Sequence, residues 1–165
     1  MKKYEFTGET KEIRLLFRTA TLHRIRATVA FGIVEVGDLG GWIEKEENLS
    51  HEGKAWVCGD AEVWGNAKVW GNAEVCGDAK VFSASHVLVI GAIGSRNDFT
   101  TFYRDKDNEI TVKCGCFLGK IDRFLEKVTQ THGDSKYALV YRAAVEVAKL
   151  QIDLSGEAPK DADEE

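Results

Sequence analysis

The segment SRNDFTTFYR, residues 95–104 of a 165-residue chain, holds the densest set of side chains suited to recognising a ligand. Arg96 offers a planar fork of donors that matches phosphate or carboxylate. Ser95, Asp98, Thr100, Thr101 and Tyr103 surround it with hydroxyls and a carboxylate. Phe99, Phe102 and Tyr103 supply aromatic faces on which a base can stack. This is the inventory of a nucleotide-type pocket, and it makes Ser95, Arg96, Asp98, Thr100, Thr101 and Tyr103 the ligand-binding candidates. The same residues also suit a structural role, in which the segment ends one element and ties it to the next, with Arg96 paired to Asp98 or Asp122.

No catalytic set accompanies them. The chain has no P-loop, G-x-G-x-x-G, H-E-x-x-H or nucleophile elbow. His86, in SASHVLVIG, is the one candidate general base; its register predicts an outward ring above Lys68, as an ordinary surface or interface histidine equally would have. His132 sits beside Gly133 at a predicted helix C-terminus, and His23 and His51 have no assignable partners. Cys114 and Cys116 make half of a zinc site with no second half, so neither a metal nor a cofactor is expected. Cys58 and Cys76 complete the four cysteines, expected to be reduced thiols in a cytosolic protein.

Composition narrows the class. A net charge of −5 and a pI near 5.5 argue against dedicated nucleic-acid binding. No apolar run is long enough to span a membrane, and no apolar stretch follows the N-terminal lysines as in a signal peptide, so a cytoplasmic location is expected.

The elements that must position these residues follow from a repeat. GDAEVWGNAKVWGNAEVCGDAKVF, residues 59–82, spells nearly the same six letters four times. Val57, Val63, Val69, Val75, Val81, Val87, Ile93 and Phe99 fall in one column; Ala55, Ala61, Ala67, Ala73 and Ala79 head another. Within each unit the alternation puts alanine and valine on one side, and Gly-Asp or Gly-Asn bends the chain. Three units close a triangular coil of 18 residues, and stacked coils form a parallel β-helix. Residues 18 apart then stack: Cys58 under Cys76, Trp64 under Phe82, Trp70 under Leu88, Glu62 beside Lys80. A Cys58–Cys76 disulfide is possible by distance but not favoured between adjacent parallel strands.

Trp56, Trp64, Trp70 and Phe82 become outward residues in this register. A continuous apolar stripe in water is unusual for a monomer, so they are covered by the rest of the chain, by another subunit, or by a ligand. Four regions result: an N-terminal β cap at 1–38, about three coils at 39–104, a strand and two α-helices at 105–153, and a disordered acidic tail at 154–165.

The stretch GDLGGWIEKEENLSHEGKAWV joined to G-[DN]-A-x-V-x repeats, and GSRNDFTTFYR with CGCFLGKIDRFLEKVTQTHGD, resembles small hexapeptide-repeat proteins of phages and prophages. The resemblance runs from about residue 1 to 152. It implies a left-handed β-helix, commonly trimeric, in a largely uncharacterised group; small phage proteins of this size often act against host defences. The repeats alone also resemble hexapeptide acyltransferases, but the long loop that carries their histidine is missing. Three functional expectations stand: a non-enzymatic homotrimeric decoy that sequesters a nucleotide-type molecule, an inhibitor or scaffold that binds a host defence protein through the tryptophan face, and an acyltransferase using His86.

Overall fold

A computed structural model describes residues 1–157. The chain is mainly β, in three sheets, with two helices at the C-terminal end. β1 (Tyr4–Arg14), β2 (Thr19–Ala27) and β3 (Leu39–Ile43) are antiparallel neighbours, and β5 (Glu62–Val63) and β7 (Lys80–Val81) extend that sheet in parallel. β4 (Trp56–Val57) and β6 (Glu74–Val75) form a second, two-stranded parallel sheet. The third is antiparallel in the order β11-β10-β9-β8, from β8 (Val87–Ile93), β9 (Asp98–Arg104), β10 (Ile110–Cys114) and β11 (Phe117–Lys120). α1 (Ile121–His132) and α2 (Lys136–Gln151) follow.

The expected left-handed parallel β-helix over 39–104 is therefore corrected to a fold of mixed and antiparallel sheets. The hexad column stops at Val81. Beyond it the Gly-Asp and Gly-Asn corners give way to SASHVLVIGAI, a short 3-10 turn at Ala84–His86 followed by the seven-residue strand Val87–Ile93. The chain then reverses at Gly94 (φ +79°) and Asn97 (φ +49°) and returns antiparallel as β9. Val87, Ile93 and Phe99, assigned to the valine column by period, belong to this hairpin instead. At the other end, β1 to β3 are antiparallel as well.

Local register within the repeats does follow the 18-residue arithmetic. Glu62 pairs with Lys80 and Trp56 with Glu74. Trp64 and Phe82 stack with ring centroids 4.8 Å apart. Cys58 and Cys76 stack with Cα atoms 4.5 Å apart and their sulfur atoms in bonding contact, against the expectation of separate thiols. No backbone pairing joins the Trp70 and Leu88 positions among the described residues. The alanines and valines of positions 55–81 are fully buried and form the largest core cluster.

Both ends of that core are closed by tyrosine hydroxyls, because strand ends leave backbone groups that must find partners. Tyr4 donates to the Leu49 carbonyl at 2.6 Å. Tyr103 donates to the Cys76 carbonyl at 2.8 Å and accepts from the Cys76 N–H. β9 is thus buried on both faces: Tyr103 points into the alanine–valine core, while Phe102 points at α1, where its ring meets Phe124 edge-on at 6.3 Å.

The aromatic stripe is covered by the chain itself. Trp56 meets Phe31 edge-on, and Trp64 packs with Ile13, Ala20, Leu22 and Trp42 of the N-terminal sheet. Phe82 is half-buried between Trp64 and the Arg104 guanidinium. Trp70 alone stays outward, 68% exposed. The segment expected to start a disordered tail is held at its beginning, where Arg104 donates to the carbonyls of Ser155 and Gly156; residues 158–165 lie outside the described part. No helix among the described residues is long and apolar enough to cross a membrane.

Candidate functional site

A cavity of about 260 Å³ opens where the β8–β9 turn and the β10–β11 turn face the two helices. Each wall has a local cause. Gly94 lets the first turn pass against the Tyr141 hydroxyl of α2, where any β-carbon would collide. Gly115, at φ +55°, makes the two-residue turn between Cys114 and Phe117, which face each other in register. The Arg96 guanidinium lies over that glycine, close enough that a β-carbon there would come within 3.3 Å of Nη1.

α1 contributes Phe124 and Val128 from its buried face, and Lys127, Thr131 and His132 from the adjoining edge. Phe124 meets Tyr141 edge-on at 5.6 Å, and His132 stacks on Tyr141 at 5.7 Å. The floor is therefore aromatic and the rim carries Ser95, Arg96, Asp98 and Lys127. Burial, with the Cys114 sulfur beside it, pushes the Tyr141 hydroxyl up to about 12, so the hydroxyl stays a neutral donor at physiological pH.

The cations are the chemically informative part. Among the described residues neither Arg96 nor Lys127 has a hydrogen-bond or ion-pair partner, so the pairing of Arg96 with Asp98 or Asp122 does not form. Asp98 accepts from the Phe99 N–H instead. Two cations free of ion pairs line an aromatic-floored cavity whose one carboxylate, Asp98, is engaged by its neighbour's N–H, which leaves room for an anionic ligand.

Of the six ligand-binding candidates the structure brings Ser95, Arg96 and Asp98 to this cavity and takes the other three elsewhere. Thr101 accepts from the Glu74 N–H and Tyr103 binds Cys76, so both are buried ties between sheets. Thr100 donates to the Cys114 sulfur at 3.3 Å behind the cavity wall. Alternation along β9 sends Thr101 and Tyr103 to the layer opposite Asp98 and Thr100, while Ser95 and Arg96 lie in the turn before the strand. Lys127, Thr131, His132 and Tyr141 were missed. The signal was present: 124, 127, 128 and 131 share one face of a helix, the face recognised only for its apolar members.

His86 is not outward. It is 2% exposed, accepts from the Phe82 N–H at Nδ1, and has Arg104 Nη1 3.3 Å from Nε2. Burial first, and then the Arg104 charge, hold its pKa below the ordinary histidine value. It lines none of the cavities described here, so the acyltransferase expectation loses its base.

A second, larger groove of about 720 Å³ runs between Trp70, Leu88 and Phe99, with Asn66, Asn72 and Lys68 at its edge. Its walls are apolar and only one charge reaches it, which suits packing rather than anion binding. No group of three or more histidine, cysteine or carboxylate side chains among the described residues is arranged to hold a metal ion. No protein-family model matches the chain, and no curated protein matches it.

Proposed function

We propose that this protein binds a small phosphorylated molecule of nucleotide type in the cavity between the Arg96 turn and α1, without transforming it. The observation that carries the reading is a pair of cations, Arg96 and Lys127, that have no hydrogen-bond or ion-pair partner among the described residues and line one cavity with Phe117, Phe124 and Tyr141. The phosphate takes the two cations and a flat ring takes the aromatic floor. A volume of about 260 Å³ suits a mononucleotide or something smaller. The resemblance to phage hexapeptide-repeat proteins supports a setting for such binding: a phage-encoded decoy in the host cytoplasm, acting as a homotrimer.

The test is calorimetric titration with phosphate, nucleoside monophosphates and cyclic mononucleotides. One of these binds the wild type, and Arg96→Ala weakens it roughly 10–100-fold, the loss expected for one charge-assisted contact. No binding by the wild type, or equal binding by Arg96→Ala, overturns the reading.

A second reading has one observation in its favour. Trp70 is exposed beside an apolar groove that borders β8, the edge strand of its sheet. This is the surviving part of the tryptophan face, and it supports contact with another copy or with a host defence protein. Light scattering of the wild type and Trp70→Asp separates the occupants: a trimer that dissociates on substitution supports self-association, and an unchanged monomer leaves the surface to a foreign partner.

A further inference from the structure

Cys114 and Cys116 flank Gly115 at the tip of the β10–β11 turn, and both line the Arg96 cavity. Neither belongs to the Cys58–Cys76 pair. Their environments differ. Cys116 is exposed, whereas Cys114 is half-buried and its sulfur accepts a hydrogen bond from Thr100 Oγ1. Arg96 lies over the glycine between them, and Lys127 shares the cavity.

We propose that Cys114 and Cys116 form a redox-active dithiol that reacts with small anionic disulfides of the glutathione type. Access assigns the order of events, because attack on a disulfide requires an approachable thiol. The Cys116 thiolate, its proton released to solvent, attacks one sulfur of the incoming disulfide. The S–S bond of the reagent breaks, one reagent thiolate leaves and takes up a proton, and a mixed disulfide remains on Cys116. Cys114, two residues away in the same turn, then attacks the Cys116 sulfur and passes its proton to the departing thiolate. The second reagent thiol departs and the Cys114–Cys116 disulfide closes across Gly115. Two electrons pass from the protein dithiol to the reagent disulfide, which becomes two thiols. Arg96 and Lys127 draw the carboxylates of the reagent into the cavity, so charge selects the partner. This shares the cavity of the phosphate-ligand reading but stands without it, since the thiols and their access do not depend on a bound phosphate.

The experiment is intact-mass spectrometry of the full chain, prereduced under conditions that spare Cys58–Cys76, during incubation with glutathione disulfide. Cys114→Ser should stop at the first step and accumulate one glutathione, mapped to Cys116. Cys116→Ser should react at least about tenfold more slowly, given the lower access of Cys114. The wild type should pass through the adduct and lose two hydrogens. Neutral hydroxyethyl disulfide should react with Cys114→Ser roughly tenfold more slowly, relative to free cysteine, than glutathione disulfide does, and Arg96→Ala should abolish that preference. Equal reaction of both reagents, or a Cys114→Ser protein that stays unmodified, overturns the proposal. Saturating inorganic phosphate is the separate control. If phosphate slows the exchange, both readings stand. If exchange proceeds unchanged, the dithiol stands and the phosphate site falls.

Discussion

The guanidinium of Arg104 lies 3.3 Å from the imidazole of His86, and both residues are almost completely buried. The other ring nitrogen faces the Phe82 N–H, so a doubly protonated ring has no acceptor on either side. The folded state therefore holds His86 neutral, by burial first and by the Arg104 charge second, although the nearby Asp153 acts the other way. A group whose folded pKa is depressed stabilises the fold fully above its unfolded value and loses that contribution as pH falls through the folded value. The urea midpoint should therefore be level above about pH 6.5 and decline below it. His86→Gln should flatten that decline. Glu44 and Glu46, held low chiefly by Arg18 and Lys2, add their own loss only at more acid pH, where carboxylates titrate.

Arg104 also ties down the segment that follows α2. Its guanidinium donates to the carbonyls of Ser155 and Gly156 at 2.9 and 2.7 Å and to the side chain of Asn108. Arg104→Met keeps much of the packing against Phe82 but leaves these acceptors without a donor. We expect a loss of roughly 2–3 kcal/mol in denaturant unfolding. Hydrogen exchange should accelerate at 154–157 before it changes in the Ala–Val core. Uniform acceleration across the chain would mean that Arg104 supports the whole core rather than its C-terminal strap.

Two tryptophans six residues apart should behave in opposite ways. Trp64 is buried between the N-terminal sheet and Phe82, so Trp64→Ala should cost about 3–5 kcal/mol. Trp70 is exposed, and Trp70→Ala should stay within about 0.5 kcal/mol in the isolated chain. Denaturant titration of the two variants side by side decides it. A large loss at Trp70 would show that its groove is packed in solution, as self-association requires.

The contrast shows what the sequence could and could not convey. The hexad period is a local rule about which side chains point inward, and it was legible: the alanines and valines at positions 55–81 are the core, and neighbours 18 apart do meet. The period carries no information about what lies over the outward residues, so it left Trp56 and Trp64 open between the rest of the chain, another subunit and a ligand, and the chain itself covers them. It also misled beyond Val81, where β-branched residues continued the count but the glycine corners that bend the chain had ended. The candidate site was legible as far as the β8–β9 turn, because Ser95, Arg96 and Asp98 are polar residues within four positions of one another. The helix half of the cavity was hidden among residues read for their apolar period alone.

The cavity itself depends on Gly94 and Tyr141, which can be tested as a pair. At φ +79° Gly94 is in the left-handed region, and a β-carbon there would run into the Tyr141 hydroxyl. Gly94→Ala thus carries two penalties, the backbone strain of about 1 kcal/mol and a collision. Tyr141→Phe removes the nearest colliding atom, the oxygen, and should cost about 1 kcal/mol through its lost polar contact. The hydroxyl oxygen is the nearest atom a β-carbon would meet, and Cζ, 2.5 Å away, still collides without it. In the Tyr141→Phe background Gly94→Ala should therefore be milder by about 1 kcal/mol but not free of the clash. The strain remains in both backgrounds, which keeps rescue partial. Denaturant unfolding of the four proteins gives the coupling directly. Strict additivity would mean that the tyrosine ring swings away from the turn at no cost, and a cavity with so loose a wall could not hold a ligand against Arg96.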